Sequence, residues 1–334
     1  MKICIVGSGS WGTALALSVC PRHETTLWSH NPEKAQQMAL TRINPALPEI
    51  PLPQEMTITS DPRCVAGQDL VVIASPSFAI RSVCAAIADH LSENTVMVCV
   101  TKGIENGTLM RMSQIVQTMT RHCVVALTGP SHAEEVAKSI PTGCVAACPE
   151  KSLAELVQSA FMTENFRIYT SPDLIGAELG GALKNVIALC AGVSDGLGYG
   201  DNTKAMLMTR GLTEIARLGV AMGANKETFA GLAGIGDLIV TCTSMHSRNR
   251  RAGILIGQGM SPDAAMKQIG AVVEGYYASR SAWELARSLG VEMPIINAAY
   301  RVLYDNADAG EVVRGLLLRD KKPESEDAGW LCPH

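Results

Sequence analysis

The sequence predicts an α/β fold in which an N-terminal domain with a parallel sheet is followed by an all-helical C-terminal domain. Over the first half of the chain, short β-branched runs alternate with helical patterns. This alternation is typical of a parallel sheet covered by helices on both faces. A glycine-rich turn directly follows the first of these runs. From residue 173 onward the strand-like runs stop, and long helical patterns follow one another.

Five runs rich in strand-forming residues are predicted strands. They cover Lys2–Val6, Thr25–Ser29, Leu70–Ala74, Thr95–Val100 and Cys123–Leu127. The helical patterns between them cover Thr13–Cys20, Phe78–Leu91 and Leu109–Thr120. The segment Asn44–Gln54 contains four prolines and is predicted to form an irregular surface loop.

The second half contains further predicted helices, separated by glycine-rich turns. The helices cover Leu174–Val193, Thr203–Met222, Ala252–Gln258, Ser261–Ile269, Tyr277–Leu289 and Ile295–Tyr304. The predicted turns are Asp195–Asp201 and Ala230–Asp237. This change in character predicts a first domain over residues 1–172 and a helical domain over residues 173–319. Residues 320–334 are charged and proline-bearing, and are predicted to form a loose tail.

The composition indicates a soluble globular protein, since 47% of the 334 residues are hydrophobic and 18% are charged. A formal net charge of −4 and an aromatic content of 4% disfavour a nucleic-acid surface. The negative charge also disfavours binding to an anionic membrane surface. No signal peptide precedes the first strand, and no apolar segment reaches the ~18 residues that span a bilayer. We therefore expect a cytoplasmic protein without membrane insertion.

The chain contains eleven cysteines, an odd number, and no CxxC pair. Cys4, Cys99 and Cys123 lie in apolar strand-like runs, where cysteine behaves as a small buried hydrophobe. We expect reduced thiols, as in a cytosolic protein, rather than a disulfide framework. No histidine or cysteine cluster has the spacing of metal ligands, so no metal site is expected.

Gly7, Gly9 and Gly12 form the motif GSGSWG between a predicted strand, KICIV, and a predicted helix, TALALSV. In a Rossmann-like domain these glycines permit a tight turn, close approach to a pyrophosphate, and packing of the helix on the strand. The helix N-terminus supplies free N–H groups for the phosphates. A GxGxxG motif is common, but here it has the required strand and helix on either side. The motif therefore predicts a Rossmann-like, dinucleotide-binding domain over residues 1–172.

The end of the second predicted strand indicates which nicotinamide cofactor is preferred, because NAD-specific sites usually place an acid there. Here the sequence reads LWSHNPEK, with Ser29, His30 and Asn31 at that place. Glu33 follows where the next helix is expected to begin. The missing acid leaves room for a 2′-phosphate, so NADPH is the predicted preferred cofactor and NADH the alternative. In the other interpretation a nearby loop supplies the discrimination and His30 is merely exposed.

A single lysine, Lys184, lies in the apolar run ELGGALKNVIALC. If Leu174–Val193 is one helix, the residues that share its face are small, apart from Ile187. The small ones are Ala177, Gly180, Gly181, Ala188 and Ala191. A lysine above such a floor, with its pKa lowered by burial, can donate the proton in a carbonyl reduction. The alternative is a lysine that extends from a helix edge into water, with the glycines serving helix–helix contact.

Polar and basic residues follow Gly236 in the segment GDLIVTCTSMHSRNRRAG. Among them Ser247, Arg248 and Asn249 stand just before a predicted helix. Hydroxyl, guanidinium and amide groups at a helix start bind phosphate well. The alternatives are a solvated basic surface and a nucleic-acid patch, although the acidic chain with few aromatic residues disfavours the patch.

Seven segments with these features occur in one order across residues 7–278: GSGSWGTALA, TKGIE, GPSHAEEVA, ELGGALKNV, AGLAGIGDLIVTC, SRNRRAG and VVEGYYA. Together they closely resemble the NAD(P)-dependent sn-glycerol-3-phosphate dehydrogenases of bacterial type. The resemblance covers most of the chain, and GALKN and SRNRR are specific to that family. It implies reversible hydride transfer between NAD(P)H and dihydroxyacetone phosphate to give sn-glycerol 3-phosphate, a precursor of glycerophospholipids.

The resemblance also implies which residues form the site. The catalytic general acid and base of the family matches Lys184, which Asp237 would hold by charge pairing. The substrate positions match Lys102, Gly129, Ser131, Lys184, Asp237, Ser247, Arg248 and Asn249. The cofactor positions match Ser10, Trp11, His30, Lys102, Ala133, Arg248, Val272 and Glu274, beside the three glycines Gly7, Gly9 and Gly12. The expected partners are a small phosphorylated substrate and a second copy of the chain in a homodimer, with no nucleic acid.

Two features depart from the family pattern. His132 stands in GPSHA, where the family commonly has an aromatic residue or threonine, and the Asn44–Gln54 loop lacks the usual tyrosine or phenylalanine.

Two other functions stay open. A β-hydroxyacid dehydrogenase usually has asparagine four residues after its lysine, whereas this chain has Ala188 there and Asn185 adjacent to the lysine. A nicotinamide-sensing protein without catalysis would have no need of the lysine or of the second set of polar motifs.

Overall fold

The computed structural model describes residues 1–321, 323 and 324, and an eight-stranded sheet forms its N-terminal part. The strands are β1 Lys2–Val6, β2 Glu24–Trp28, β3 Thr57–Thr59, β4 Leu70–Ile73, β5 Val96–Cys99, β6 Val124–Thr128, β7 Thr142–Ala147 and β8 Phe166–Ser171. Their order is β3-β2-β1-β4-β5-β6-β7-β8. The first six strands are parallel, and their order is that of a Rossmann fold.

The five predicted strands are confirmed, and their ends differ from the prediction by at most one residue. Three strands, β3, β7 and β8, were not predicted. The predicted parallel sheet is confirmed with one exception, since β7 runs antiparallel to β6. The connection between them holds only the five-residue helix α5, Ala133–Ala137. So short a helix does not return the chain to the opposite end of the sheet, as a parallel crossover requires.

The remaining helices of this part are α1 Ser10–Val19, α2 Pro32–Thr41, α3 Ile80–Ile87, α4 Met112–Thr120 and α6 Lys151–Phe161. The single helix predicted over Phe78–Leu91 is wrong at both ends, where short 3₁₀ turns flank α3. The helix predicted from Leu109 begins only at Met112, because Leu109 has a left-handed φ of 59°.

The proline-rich loop Asn44–Gln54 contains no helix or strand, as predicted. It is not wholly a surface loop, however, since Asn44, Leu47 and Leu52 are buried. The Asn44 side-chain amide donates to the carbonyl of Ser8 at 3.1 Å and to Thr13 Oγ1 at 2.6 Å. The loop therefore braces the glycine-rich turn from outside the sheet.

Eight α-helices follow the sheet among the described residues. They are α7 Leu174–Gly196, α8 Asp201–Ala221, α9 Asp237–Thr243, α10 Arg248–Gly257, α11 Pro262–Ile269, α12 Glu274–Ser288, α13 Pro294–Tyr304 and α14 Ala309–Leu317. The six predicted helices are confirmed, whereas α9 and α14 were not predicted. The turn predicted over Ala230–Asp237 is wrong, because Leu232–Gly236 forms a π-helical turn that leads into α9. Close packing on α7 stabilises this turn despite its glycines.

The last strand ends at Ser171 and α7 begins at Leu174. A division into two folding units at residues 172 and 173 agrees with this change but stays a prediction. Most of the predicted loose tail, residue 322 and residues 325–334, lies outside the described residues. The ten cysteines within the described part are free thiols.

Helix α7 is the central element of the helical part and is buried on nearly all sides. Its most apolar 18-residue window has a mean hydropathy of 1.4, so by length and composition it qualifies as a membrane span. The prediction that no segment is long and apolar enough is therefore wrong for α7. Protein surrounds 78% of that window, as expected for the core helix of a folded domain.

Paired glycines bring α7 and α10 into backbone contact. A Cβ atom on Gly253 would lie 2.0 Å from the carbonyl oxygen of Leu189, and one on Gly192 would lie 2.0 Å from that of Arg250. One turn further along, Gly196 and Gly257 approach each other in the same way. This contact places the start of α10 against the helix that carries Lys184.

Polar contacts tie α7 to the sheet domain and to the turn after α8. Glu178 accepts hydrogen bonds from the backbone N–H of Ser113 at 2.7 Å and from its hydroxyl at 2.6 Å, and pairs with Arg111. Asp173 caps the first turn of α7 through Gly176 N at 2.9 Å and also accepts from the Thr228 hydroxyl at 2.6 Å. Glu178 therefore ties α7 to the sheet domain, and Asp173 ties the start of α7 to the turn after α8.

Substitution of Gly253 by alanine is expected to destabilise the protein, because the added methyl group has no space against Leu189. Overpacking of this kind costs about 1–3 kcal/mol, so the chemical denaturation midpoint should fall. Gly315 of α14 is the matched control, since a Cβ atom there meets no described atom within 4 Å. Gly315→Ala should leave the midpoint unchanged or raise it, because alanine favours a helix by about 0.5–1 kcal/mol over glycine. An unchanged midpoint in Gly253→Ala would contradict the close contact.

Candidate active site

The glycine-rich turn after β1 has the geometry that its sequence predicts. Gly7 has a φ of 131°, and a Cβ atom there would lie 2.5 Å from the carbonyl oxygen of Ala74. A Cβ atom on Gly12 would lie 2.0 Å from the carbonyl oxygen of Gly7, whereas Gly9 faces open space. Gly7 and Gly12 thus allow β1, β4 and α1 to pack closely. Gly9 leaves room beside the N-terminus of α1, and this fits a dinucleotide pyrophosphate.

The two residues after Gly9 begin α1 and lie at the same place. The Ser10 hydroxyl donates to the carbonyl of Ala46 at 3.1 Å. The indole N–H of Trp11 is buried and has no hydrogen-bond partner among the described residues. A buried, unpaired donor is costly, so this donor also fits a site that a polar ligand completes.

The other predicted cofactor residues lie at three places around the sheet. His30 is exposed and follows β2, on the side of β1 away from β4. Ala133 begins α5, and Val272 and Glu274 stand at the start of α12. Of these, Glu274 has a defined polar contact, because both carboxylate oxygens accept hydrogen bonds from Ser77.

The contact between Glu274 and Ser77 joins the helical part to the loop after β4. The backbone N–H of Ser77 lies 3.2 Å from Glu274 Oε1, and its hydroxyl lies 2.6 Å from Oε2. Burial raises the pKa of Glu274, while these hydrogen bonds and the charge of Arg248 act in the opposite direction. The bond places the start of α12 next to the carboxyl ends of β1 and β4, where a Rossmann fold binds its ligand.

Lys184 is buried and held by two residues of α9. Its Nζ donates to Asp237 Oδ1 at 2.6 Å and to Thr241 Oγ1 at 2.5 Å. The exposed fraction of the side chain is 7% for Lys184 and 1% for Asp237. The Thr241 hydroxyl in turn donates to the carbonyl of Asp237 at 2.6 Å. The predicted pairing of Lys184 with Asp237 is therefore present.

A second lysine shares the same carboxylate. Lys102 Nζ donates to Asp237 Oδ2 at 2.6 Å and to the carbonyl of Gly129 at 3.2 Å. Lys102 follows β5 and Gly129 follows β6, so the carboxyl ends of two neighbouring strands contribute to the cluster. The Ser131 hydroxyl donates to the same Gly129 carbonyl at 2.9 Å. Five of the predicted substrate residues thus form one connected group.

The environment lowers the pKa of Lys184 to about 8, mainly because burial disfavours its charged form. The charge of Lys102 lowers the pKa further, whereas the carboxylate of Asp237 raises it. A lysine with such a pKa is protonated at neutral pH yet can release its proton near that pH. It therefore meets the requirement for a general acid and base.

The two glycines beside Lys184 serve packing more than they clear a floor for a ligand. A Cβ atom on Gly180 would lie 2.3 Å from the carbonyl oxygen of Ala233, so the π-helical turn packs directly on α7. A Cβ atom on Gly181 would lie 2.7 Å from Thr128 Oγ1 and 3.6 Å from the Lys102 side chain. The sequence offered contact with another helix as one purpose of these glycines, and such a backbone contact is present at Gly180. Gly181 leaves room for the Thr128 hydroxyl, and the Lys102 side chain lies at an ordinary contact distance beside it.

Ser247, Arg248 and Asn249 form the start of α10, where the helix begins four residues earlier than predicted. Ser247 is the N-cap and its Oγ accepts from Arg250 N at 3.2 Å. Arg248 is exposed, and the first turn carries no acidic residue. The helix N-terminus and the exposed Arg248 thus both contribute positive charge at the start of α10, as phosphate binding requires.

The Asn249 side chain is already engaged within the protein. Its amide nitrogen donates to Asn185 Oδ1 at 2.9 Å, and its oxygen accepts from Gly275 N at 2.8 Å. Asn185 is the neighbour of Lys184, and Gly275 belongs to the first turn of α12. Asn249 therefore aligns α7, α10 and α12.

Sequence reasoning missed several residues of this site. Thr241 stands four residues after Asp237, and this helical spacing would have placed both on one face of α9 if the helix had been predicted. Asn185 lies in the GALKN motif and Ser77 lies in none, but neither was assigned a role, because their partners are distant in sequence. His132 precedes α5, and its ring centroid lies 5.6 Å from that of His246. Its buried Nε2 atom has no hydrogen-bond partner within the described part of the chain. Burial and the charge of Lys184 lower the pKa of His132.

The fold and these residues define a class of protein, a Rossmann-type dehydrogenase whose reactive groups come from an appended helical part. Residues 2–154 match the N-terminal part of the NAD-dependent glycerol-3-phosphate dehydrogenase family, and residues 173–314 match its C-terminal part. The chain belongs to this family.

Proteins of known name or structure agree with this membership. The chain is 51% identical over 326 residues to a glycerol-3-phosphate dehydrogenase [NAD(P)+] of Thermoanaerobacter, covering 97% of this chain and 99% of the relative. It is 50% identical over 330 residues to that of Fusobacterium nucleatum, covering 97% and 98%. A crystal structure of glycerol-3-phosphate dehydrogenase from Coxiella burnetii aligns with a TM-score of 0.91 at 36% identity, covering 95% of this chain and 98% of that one.

No group of three or more histidine, cysteine, aspartate or glutamate side chains is placed to hold a metal ion within residues 1–321, 323 and 324.

Replacement of Asp237 by asparagine is expected to lower the pKa of Lys184 below about 8, since the carboxylate is the group that raises it. Only the neutral amine of a lysine reacts with amine-modifying reagents. Modification of Lys184 in the variant should therefore reach half its maximum at a lower pH than in the wild type. Mass spectrometry after brief labelling at a series of pH values measures this. Asp195→Asn is the control, because Asp195 pairs with Lys204 and Arg250 instead. An unchanged or raised midpoint in Asp237→Asn would contradict the assignment.

Proposed function

We propose that this chain catalyses reversible hydride transfer between NAD(P)H and dihydroxyacetone phosphate to give sn-glycerol 3-phosphate. The observation that carries the proposal is the buried Lys184, held by Asp237 and Thr241, in a chain of this dehydrogenase family. The reduced nicotinamide supplies the hydride. The chain's own residues bind the substrate, hold its carbonyl and move the proton.

Lys184 is the proton donor for the substrate carbonyl oxygen in reduction and the acceptor of the hydroxyl proton in oxidation. The contacts with Asp237 and Thr241 hold its Nζ in one position, at 2.6 and 2.5 Å. The pKa of about 8 supports both roles, because the two protonation states lie close in free energy near neutral pH. Reduction needs the protonated lysine and is therefore favoured below this pKa.

Lys102 supports the reaction from the other side of Asp237. Its ammonium group lowers the pKa of Lys184, and it lies next to the carbonyl of Gly129. In this position it stabilises negative charge that develops on the substrate oxygen. Gly129 has no side chain and so leaves space in this part of the site. Ser131 lines it with a hydroxyl group.

The start of α10 binds the substrate phosphate in this proposal. Ser247, Arg248 and Asn249 together offer a hydroxyl, a guanidinium group and helix N–H groups, which suit a phosphate dianion. Backbone contact between α7 and α10 sets the position of this group relative to Lys184. The arrangement thus explains why a phosphorylated ketone would be oriented for reduction.

The cofactor assignment rests on the glycine-rich turn and the segments around it. Gly7, Gly9 and Gly12 with Ser10 and Trp11 would hold the pyrophosphate. The start of α5 with Ala133, and of α12 with Val272 and Glu274, would flank the nicotinamide side. The absence of an acid after β2, where His30 stands, supports a preference for NADPH over NADH.

The cellular setting extends this proposal. We infer that the protein acts in the cytoplasm, supplies sn-glycerol 3-phosphate for phospholipid synthesis, and assembles as a homodimer. A β-hydroxyacid dehydrogenase is not favoured, because 97% of the chain aligns with glycerol-3-phosphate dehydrogenases. The basic start of α10 would also lack a purpose with a non-phosphorylated acid.

The activity is tested by following the absorbance of NADPH after dihydroxyacetone phosphate is added, with Lys184→Ala beside the wild type. The wild type should oxidise NADPH. The variant should have a kcat lower by about two or more orders of magnitude, because it lacks the general acid, while its affinity for NADPH is largely kept. Lys151→Ala removes an exposed lysine of α6 and should have no effect. Turnover of a non-phosphorylated keto acid, without turnover of dihydroxyacetone phosphate, would refute the proposal. A near wild-type kcat in Lys184→Ala would show that another group donates the proton.

Substitution of Arg248 by alanine should mainly raise the KM for dihydroxyacetone phosphate, because the guanidinium group is assigned to the substrate phosphate. Steady-state kinetics at saturating NADPH measures this. The neighbouring Arg251 is also exposed and is the matched control, since both changes remove one positive charge from the first turns of α10. Equal KM values in Arg248→Ala and the wild type would place the phosphate elsewhere.

A further inference from the structure

Lys34 reaches from the start of α2 back to the glycine-rich turn. Its Nζ donates to the carbonyl oxygen of Ser8 at 2.7 Å. The start of α2 follows β2 directly, and Asn31 caps it by accepting from the backbone N–H of Lys34 at 2.9 Å. The ammonium group is thereby held between the turn after β1 and the end of β2. Lys34 ends the segment LWSHNPEK, but the sequence pattern there assigns it no role.

The charge of Lys34 is not balanced by a neighbouring acid. Burial lowers the pKa of Lys34, with no carboxylate acting against it. No salt bridge to Lys34 is formed within the described part of the chain. The first turn of α1 has no acidic residue, and Glu33, the acid in the first turn of α2, is exposed. A lysine side chain usually extends its charge into water, so a partly desolvated ammonium group without a counterion indicates that an anion belongs there.

The position within the fold identifies that anion. In a Rossmann domain the end of the second strand lies beside the adenosine ribose, and its 2′ position is where NAD and NADP differ. We propose that Lys34 binds the 2′-phosphate of the dinucleotide and is the residue that makes this protein select NADP(H). The inference rests on the proposed function, since it takes the glycine-rich turn to hold a dinucleotide. It goes further by assigning the cofactor preference to one ammonium group.

The contact with Ser8 allows a second role, in which Lys34 only anchors the glycine-rich turn. The two roles differ in what they predict. An anchor supports the binding of the whole dinucleotide, so its loss would weaken the binding of NAD(H) and NADP(H) to the same extent. A ligand of the 2′-phosphate affects only molecules that carry this group.

Calorimetric titration of the purified protein with ADP-ribose and with 2′-phospho-ADP-ribose distinguishes the roles, since neither probe contains nicotinamide and neither can turn over. In Lys34→Gln the Kd for 2′-phospho-ADP-ribose should rise by about ten- to a hundredfold, the effect of losing a charge-assisted hydrogen bond. The Kd for ADP-ribose should change by less than about twofold, because this probe lacks the charged group that the bond recognises. Lys34→Arg keeps the positive charge and should bind 2′-phospho-ADP-ribose more tightly than Lys34→Gln does.

Lys151→Gln provides the control for general electrostatics, since it removes one positive charge from an exposed lysine of α6 and should leave both Kd values unchanged. Equal weakening of the two probes in Lys34→Gln would overturn the inference in favour of the anchor. So would an unchanged Kd for 2′-phospho-ADP-ribose, or tighter binding of ADP-ribose by the wild type. These results would leave the proposed function intact if the protein still reduces dihydroxyacetone phosphate with NADH. If the protein reduces dihydroxyacetone phosphate with neither NADH nor NADPH, the proposed function itself is refuted.

Discussion

The carboxylate of Asp237 is the interaction on which the site depends. It is almost fully buried and accepts from Lys184 on one oxygen and from Lys102 on the other, each at 2.6 Å. Burial of charged groups is costly unless each has partners. Here the carboxylate offsets the cost for two ammonium groups at once. Because Lys102 comes from the sheet domain, Lys184 from α7 and Asp237 from α9, this one side chain also holds three separate segments in register.

The close packing of α7 makes this arrangement possible. Gly180 admits the π-helical turn that leads into α9, and Gly192 and Gly253 admit α10. Side chains at these positions would hold the neighbouring helices away from α7, and the polar groups that they carry would no longer meet. The apolar surface of α7 supplies the burial that lowers the pKa of Lys184. The close packing of α7 therefore both positions the polar groups and lowers the pKa of Lys184.

Much of the fold could be predicted, because its signals are local. The glycine motif, the β-branched runs and the long helical patterns each depend on neighbours within a few residues. The failures have a common cause, since tertiary contacts decided against local preference. The glycine-rich segment Ala230–Asp237 predicted a turn but is mostly helical, because it packs on α7. The antiparallel strand β7 follows from the shortness of α5, which its sequence did not reveal.

The sequence by itself determined the class of fold, the place of the dinucleotide turn and the residue types of the site, because motifs and family resemblance reside in the order of residues. It also predicted the pairing of Lys184 with Asp237 through that resemblance. Only the tertiary structure decided that Thr241 and Lys102 complete the cluster, that Asn249 aligns three helices, and that Lys34 approaches the glycine-rich turn. These contacts join residues far apart along the chain, and their distances arise from how the helices pack, which no local pattern records.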